Sequence, residues 1–167
     1  ASAMAINGET HTPQGKLPNP VPRALTVEEI QVIVGQFADA ARHAVEAGAY
    51  FLLEKFRDQE HGGWYWSCNR AGEVLDPRKD SYGHAFVIFG LAHACQCTGN
   101  QDFKTAALET WDVFQTRFRD EVGGYRWRMT REFQPAEQIK SQNPIMHLFE
   151  ALLALSDVKE ASYIRKD

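Results

Sequence analysis

The sequence is poor in several features that would narrow its function. Its 18 Lys and Arg against 22 Asp and Glu give a net charge of -4, which offers no broad basic field for a nucleic acid. No apolar run approaches the roughly 20 residues that a membrane-spanning helix needs. The three cysteines lack the spacing of a disulfide framework, and no charged-then-apolar leader opens the chain. We therefore expect a cytoplasmic protein that binds neither nucleic acid nor membrane.

A short segment occurs twice in the chain. FRDQEHGGWYW begins at Phe56, and FRDEVGGYRW begins at Phe118. The offset is 62 between the phenylalanines (118 minus 56) and 61 between Gly62 and Gly123 (123 minus 62). Self-similarity at a fixed period is typical of architectures built from stacked units. In each copy the double glycine allows a tight turn, and the aromatic residues after it alternate as in a short strand.

Two helices are predicted between these copies. Residues 82–97 carry apolar side chains nearly all round the helix, which indicates a buried helix, and Gly99 with Asn100 supplies its end. Residues 102–118 carry one apolar stripe, as in a helix that faces the core on one side. The sequence therefore predicts an all-α fold of inner and outer helices, with the double-glycine loops at one end of a helical ring.

Residues 1–25 differ in composition from the rest of the chain. They are rich in proline and glycine and lack helical periodicity, so we expect an extended arm. Thr26 and Glu29 then form the pattern of a capping box at the start of a helix. Gly48 is a candidate break, so one bent helix or two helices both fit the sequence. We divide the chain into this arm and a helical domain, residues 26–167.

The region from about residue 50 to residue 157 carries four motifs in order: FRDQEHGGWYW, DPRKDSYGHAF, FRDEVGGY and QNPIMHLFEALLAL. In these motifs it resembles the N-acylglucosamine 2-epimerase family, which includes mannose isomerases and cellobiose 2-epimerases on an (α/α)6 barrel. The resemblance implies a partial α/α toroid, about half of that barrel. It also implies a sugar 2-epimerase or aldose-ketose isomerase, which transfers a proton next to the sugar carbonyl. We expect no cofactor and a small-molecule sugar as the partner.

A second resemblance covers residues 1–48. This segment contains TPQGKLPNPVPRALTVEEIQ and resembles part of the old yellow enzyme family, flavin-dependent ene-reductases on a TIM barrel. It stops before the barrel strand that would follow in that family, and it offers no complete set of residues for a flavin. We interpret the chain as a chimera, in which an ene-reductase-like segment precedes the middle of an epimerase-like barrel.

The candidate catalytic residues lie between Asn143 and Glu150. On a helix that begins near Pro144, His147 and Glu150 are three residues apart and share a face. The family resemblance implies that Asn143 and His147 of the NPxMHL motif face the barrel cavity, contact the sugar and assist proton transfer. An imidazole suits this chemistry near neutral pH. The alternative is a hydrogen-bonded structural pair of His147 and Glu150.

Three further residues are candidates for sugar binding. His84 lies in KDSYGHAF, at the start of the inner helix, and would point to the mouth of the cavity. The alternative is that His84 is a partly solvent-exposed residue of the first helical turn. Trp64 and Trp66 could stack on a sugar ring, because pyranose faces present C–H groups to aromatic planes. The alternative is that the two rings pack in the core and anchor the loops to it. His93, Cys95 and Cys97 point in different directions on a helix, so we assign no metal.

The resemblance also indicates what the sequence does not contain. Two further histidines, which the family carries on later helices, have no counterpart here, so we expect a catalytically incomplete protein. Two alternatives to a sugar isomerase stay open: an inactive helical interaction or oligomerisation module, and a flavin-dependent ene-reductase relative. Broad apolar flanks on a partial ring predict a homo-oligomer, a dimer, with Phe86, Phe89 or the 148–155 helix in its interface.

Overall fold

The computed structural model describes residues 9–18, 23–136 and 140–164. The chain divides into two compact units, residues 1–41 and residues 42–167. The boundary after residue 25 that we drew from the sequence stays a prediction. None of the described helices is both long and apolar enough to cross a bilayer.

The first unit contains a β-hairpin and the first part of a long helix. Strands β1 (Glu9–Thr12) and β2 (Gly15–Pro18) pair antiparallel. Within the turn between them, the Thr12 hydroxyl donates to the Gly15 carbonyl at 2.9 Å. The expected arm therefore contains a hairpin within residues 9–18.

Helix α1 (Val27–Phe51) begins at the predicted capping box. The Glu29 N–H donates to the Thr26 hydroxyl at 3.2 Å, and the Thr26 N–H donates to the Glu29 carboxylate at 2.9 Å. Both bonds satisfy N–H groups that the first helical turn leaves free. The helix continues through Gly48 and passes into one turn of π-helix, Leu52–Phe56. Of the two possibilities left open by the sequence, the structure has one continuous helix.

The second unit is built around three more helices, α2 (Ser81–Thr98), α3 (Gln101–Arg117) and α4 (Gln142–Ile164). Two pairs of short strands join them. Strand β3 (Ser67–Cys68) pairs with β4 (Val74–Asp76), and β5 (Lys79–Asp80) pairs with β6 (Arg128–Met129), all antiparallel. The β5–β6 pair links the two repeats, because β5 enters α2 and β6 follows the second double-glycine loop.

Helix α2 lies at the centre of this unit and packs against both α3 and α4. Its buried residues join those of the neighbouring helices in one cluster, which includes Ile88, Leu91, Phe103, Phe114, Leu148 and Leu155. The Asp80 carboxylate caps its first turn by accepting from the Tyr82 N–H at 2.9 Å. Gly99 ends it with φ 75°. The prediction of a buried helix between two repeat loops is confirmed.

The two double-glycine loops have the same backbone hydrogen bonds. In the first, the Asp58 N–H donates to the Gly63 carbonyl and the Gly62 N–H donates to the Asp58 carbonyl, at 3.0 and 2.9 Å. In the second, Asp120 makes the same two bonds with Gly124 and Gly123, both at 3.0 Å. All four glycines have positive φ. The predicted all-α partial toroid with double-glycine loops is confirmed. The repeat seen in the sequence is also present in the backbone structure of the two loops.

Candidate functional site

We define loop 1 as residues 56–72 and loop 2 as residues 118–133. Loop 2 covers loop 1 through two side chains, Arg131 and Phe133. The Arg131 guanidinium donates to both carboxylate oxygens of Asp58, at 2.9 and 3.1 Å. The Phe133 ring lies against Gly63, where an added Cβ would come within 2.8 Å of it. One repeat therefore completes the packing of the repeat before it.

Asp58 is the centre of a buried ionic cluster. Its carboxylate also accepts from the Lys79 ammonium at 2.8 Å, and both side chains are fully buried. Burial alone would raise the pKa of Asp58, but hydrogen bonds from Arg131, from Lys79 and from two backbone N–H groups hold that pKa well below its usual range. Burial lowers the pKa of Lys79, and Asp58 opposes this shift. The cluster ties strand β5, and with it the start of α2, to both loops.

Phe133 has an uncommon backbone conformation. Its φ of 61° makes it the non-glycine residue with positive φ among the described residues. The corresponding residue of the first repeat is Gly72, 61 positions earlier (133 minus 72), with φ 85°. Both N–H groups close the same turn, onto Asn69 at 3.0 Å and onto Thr130 at 3.1 Å. The second repeat therefore has a phenylalanine in a left-handed backbone conformation that glycine usually adopts. The Phe133 ring packs against His84 and Phe118.

His84 is buried and uses both ring nitrogens within the fold. Its Nδ1–H donates to the Asp80 carbonyl at 2.8 Å, and its Nε2 accepts from the Trp64 N–H at 3.1 Å. Burial lowers the pKa of His84 to about 3, with the Lys79 charge acting in the same direction and the bond to Asp80 opposing it. The neutral ring therefore fastens the double-glycine loop to the first turn of α2.

The two candidate tryptophans of loop 1 differ in their surroundings. Trp64 is buried, and its indole N–H donates to the Thr110 hydroxyl of α3 at 2.9 Å. Trp66 is partly exposed, lies beside Gly83, and stacks with the Arg78 guanidinium at 4.8 Å. In the described chain Trp64 and His84 belong to the core, whereas Trp66 presents ring surface to solvent.

The histidine and glutamate of α4 do lie together. His147 Nδ1 and the Glu150 carboxylate are 2.9 Å apart, and the His147 side chain is 21% exposed. Two aromatic rings of α2 hold the imidazole: Tyr82 lies edge-on at 5.2 Å and Phe86 at 4.7 Å. Asn143, in the first turn of α4, is exposed. His147 Nε2 makes no hydrogen bond to any residue in the described part of the chain.

The repeat relates the two inner helices position by position. Asn143 corresponds to Tyr82 and His147 to Phe86, both at an offset of 61 (143 minus 82, 147 minus 86). The second repeat therefore places an amide and an imidazole where the first has two aromatic rings. A polar face on α4 next to an aromatic face on α2 can bind a molecule that has both hydroxyl and C–H surfaces.

The ionic cluster of Asp58, Lys79 and Arg131 was not predicted from the sequence. A signal for it exists in the repeat. Lys140 lies 61 residues after Lys79 (140 minus 79) and pairs with Asp120 at 3.0 Å, as Lys79 pairs with Asp58. A lysine 17 residues after the first glycine of each pair (79 minus 62 and 140 minus 123) would have indicated a repeated ion pair.

Comparison with known proteins finds that this chain is similar to sugar epimerases and isomerases. Residues 31–166 match the family model of N-acylglucosamine 2-epimerase. A cellobiose 2-epimerase from Dictyoglomus turgidum is 29% identical over 141 residues, which are 78% of this chain and 35% of that protein. A D-mannose isomerase from Thermobifida fusca is 34% identical over 66% of this chain and 27% of its own length. The chain thus spans about a third of the curated relatives it matches.

Solved structures agree with these relatives. A crystal structure of D-mannose isomerase matches with a TM-score of 0.67 and 27% identity, over 78% of this chain and 34% of that one. The cellobiose 2-epimerase from Spirochaeta thermophila matches with a TM-score of 0.61 and 28% identity, over 70% of this chain and 32% of its own.

A more distant match is a protein from Oryza sativa subsp. japonica, provisionally named 12-oxophytodienoate reductase 13. It is 35% identical over 121 residues, which are 62% of this chain and 31% of that protein. This match does not confirm the resemblance of residues 1–48 to the old yellow enzyme family. The repeat loops, the helical core and the match over residues 31–166 instead agree with one another: the chain belongs to the N-acylglucosamine 2-epimerase family.

Proposed function

We propose that this chain carries part of a sugar-binding site on the adjoining faces of α2 and α4, with His147 as the base that removes a proton next to the sugar carbonyl. The observation that carries this proposal is the pair of His147 and Glu150, 2.9 Å apart, against the rings of Tyr82 and Phe86. A histidine oriented by a carboxylate and open to solvent is the usual arrangement of a general base.

Each group of this site has a distinct role in the proposal. Glu150 accepts the Nδ1 proton of His147, which orients the ring, leaves the Nε2 lone pair for the C2 proton of the sugar and compensates the charge gained on proton transfer. The Tyr82 and Phe86 rings support the imidazole and offer an apolar surface to sugar C–H groups. The Asn143 amide, exposed four residues before His147, hydrogen-bonds sugar hydroxyls.

The three other candidate residues lie on the loop 1 side of α2. Trp66 is the candidate for stacking on a sugar, because part of its ring is exposed. We assign Trp64 and His84 positioning roles, because their polar atoms are bonded within the fold. The Trp64 indole N–H donates to Thr110, and the His84 ring accepts from the Trp64 backbone N–H and donates to the Asp80 carbonyl. They hold the double-glycine loop against α2 and do not touch the sugar.

The substrate in this proposal is a sugar that can expose a carbonyl group. The relatives are named cellobiose 2-epimerase and D-mannose isomerase, so mannose, cellobiose and N-acylated hexosamines are the sugars to test. A base next to the sugar carbonyl exchanges the C2 proton of the sugar with solvent. We therefore expect binding and proton exchange.

Binding is tested by following the His147 ring resonances by NMR during a titration with D-mannose. His93 is the matched control. It lies on α2, packs on Phe89 at 4.4 Å and bonds Gln96 three residues later at 3.1 Å, but its partner is an amide and not a carboxylate. We expect His147 to shift with mannose and His93 to stay fixed. Resonances of His147 that do not move up to high millimolar mannose contradict the proposed site and favour an inactive interaction module.

The chimera interpretation gives the alternative function. If residues 1–48 derive from a flavin-dependent reductase and retain its ligand, the purified protein is yellow and takes up flavin mononucleotide. We expect a colourless preparation with no flavin absorbance, since α1 leads into an epimerase-type repeat rather than a barrel strand. A cytoplasmic location and a homo-oligomeric state also belong to this proposal.

A further inference from the structure

Tyr82 is the aromatic residue whose ring lies edge-on to the His147 imidazole, with the two ring centroids 5.2 Å apart. The Tyr82 hydroxyl makes no hydrogen bond to any residue in the described part of the chain. The ring is therefore not fixed at its far end. Because Tyr82 is the second residue of α2, the backbone of the first helical turn sets where the ring lies.

The Asp80 side chain fixes this first turn. It is 2% exposed, and one carboxylate oxygen accepts from the Tyr82 N–H at 2.9 Å. The other oxygen accepts from the Arg128 Nε–H of β6 at 3.4 Å, and the Asp80 carbonyl accepts from the His84 ring at 2.8 Å. The first N–H groups of a helix have no partner inside it, so this carboxylate supplies the partner that Tyr82 needs.

Strand pairing connects Asp80 to the loop that leads to α4. Asp80 lies opposite Arg128 in the β5–β6 pair, and β6 belongs to loop 2. Loop 2 is also held to the segment just before α4, where the Lys140 ammonium donates to the Gly123 carbonyl at 2.7 Å. The starts of α2 and α4 are therefore both fastened to loop 2.

We propose that Asp80 is a positioning residue for the proton transfer at His147. By fixing the backbone of Tyr82, Asp80 sets the position of the ring against which the imidazole packs, and with it the direction of the His147 Nε2 lone pair. Misplacement of a reacting group by about 1 Å can cost about 100-fold in rate, even when the change is made away from the reacting atoms. The effect on a reaction rests on the proposed function, whereas the position of the imidazole can be measured without it.

Helix α3 provides a matched control. Asn100 caps it in the same way, since its side chain accepts from the Asp102 N–H at 2.9 Å. Its amide also donates to the Tyr50 hydroxyl at 2.9 Å, so Asn100, like Asp80, has a second partner. Asn100 follows the end of α2, whose 18 residues span about 27 Å at 1.5 Å per residue. Loss of either cap removes the same kind of bond, but only the loss at Asp80 lies beside Tyr82.

The test is the NMR position of the His147 ring resonances in the full chain, without sugar, in four variants. Asp80→Ala and Asp80→Gly both remove the acceptor, and glycine is the milder change at a cap, so it serves if the alanine variant does not fold. Asp80→Asn keeps an oxygen for the Tyr82 N–H, and burial, which raises the pKa of Asp80, favours a neutral side chain there. Asn100→Ala is the control. Circular dichroism checks that each variant is folded.

Aromatic rings beside an imidazole shift its resonances, so a displaced ring changes them. We expect Asp80→Ala and Asp80→Gly to move the His147 resonances and to leave those of His93 in place. We expect Asp80→Asn and Asn100→Ala to keep the parent positions. With saturating mannose, exchange of the C2 proton should be at least about 10-fold slower in Asp80→Ala and Asp80→Gly, with unchanged affinity.

Resonances of His147 that keep the parent position in the folded Asp80→Ala and Asp80→Gly variants overturn the proposal. So does an equal change in Asn100→Ala, because the cause would then be a general loss of helix stability. Failure of the proposed function gives a different result. A parent protein that exchanges no C2 proton contradicts the proposed function, whereas exchange that Asp80→Gly leaves unchanged contradicts only the positioning role.

Discussion

The two double-glycine loops permit a paired measurement of what the second repeat contributes to the first. Gly63 and Gly124 are equivalent positions with φ of 67° and 75°. Alanine at either position costs about 1–2 kcal/mol, because a Cβ disfavours the left-handed conformation. At Gly63 the new Cβ would also lie 2.6 Å from His84 Nε2 and 2.8 Å from Phe133. Both rings are buried, so overpacking adds about 1–3 kcal/mol.

We therefore expect Gly63→Ala to lower the free energy of unfolding by about 2–5 kcal/mol, and Gly124→Ala by about 1–2 kcal/mol. Urea unfolding followed by circular dichroism measures both, and the difference corresponds to about 2–4 °C in Tm for each kcal/mol in a chain of this size. Equal losses for the two variants would refute the reasoning that loop 2 packs onto loop 1. A neutral Gly63→Ala would refute the close approach of His84 as well.

Three other outcomes follow from the same repeat and its buried groups. Lys79→Met leaves the buried Asp58 with one cation fewer and should cost about 3 kcal/mol in urea unfolding, whereas the equivalent Lys140→Met should change little; equal effects contradict the assigned burial. His84, with a folded pKa of about 3 against a usual 6.5, stays neutral while the unfolded chain takes up a proton, so stability falls as pH drops from about 6.5 towards 3, at up to about 1.4 kcal/mol per pH unit. If a His84→Gln variant loses stability with the same slope above pH 5, a group other than His84 causes the pH dependence. The depressed pKa of Asp58 adds a further loss below about pH 4.

Local sequence patterns predicted the helices and the turns of this fold. Thr26 and Glu29 predicted the start of α1, and Gly99 predicted the end of α2. The two double glycines predicted the repeat loops. These features depend on residues within a few positions of each other, so a single sequence contains them.

Long-range contacts were the part that the sequence did not predict. Asp58 meets Lys79 and Arg131, which are 21 and 73 residues away. No periodicity links such positions, and comparison of the two repeats would have indicated only the pair of Asp58 and Lys79. The same limit applies to Trp64 and His84, whose residue types suit a sugar site. Their burial depends on which side of loop 1 faces α3, a property of the packed unit.

Exchange of the C2 proton of a sugar tests the role of His147 most directly. D-mannose that carries deuterium at C2 is incubated with the protein in ordinary water, and the appearance of the C2 proton is followed by NMR. We expect exchange with the parent protein and with the control His93→Asn, slower exchange with Glu150→Gln, and none above the protein-free rate with His147→Asn. Exchange that is absent in the parent protein, or unchanged by His147→Asn, would contradict a base at this position.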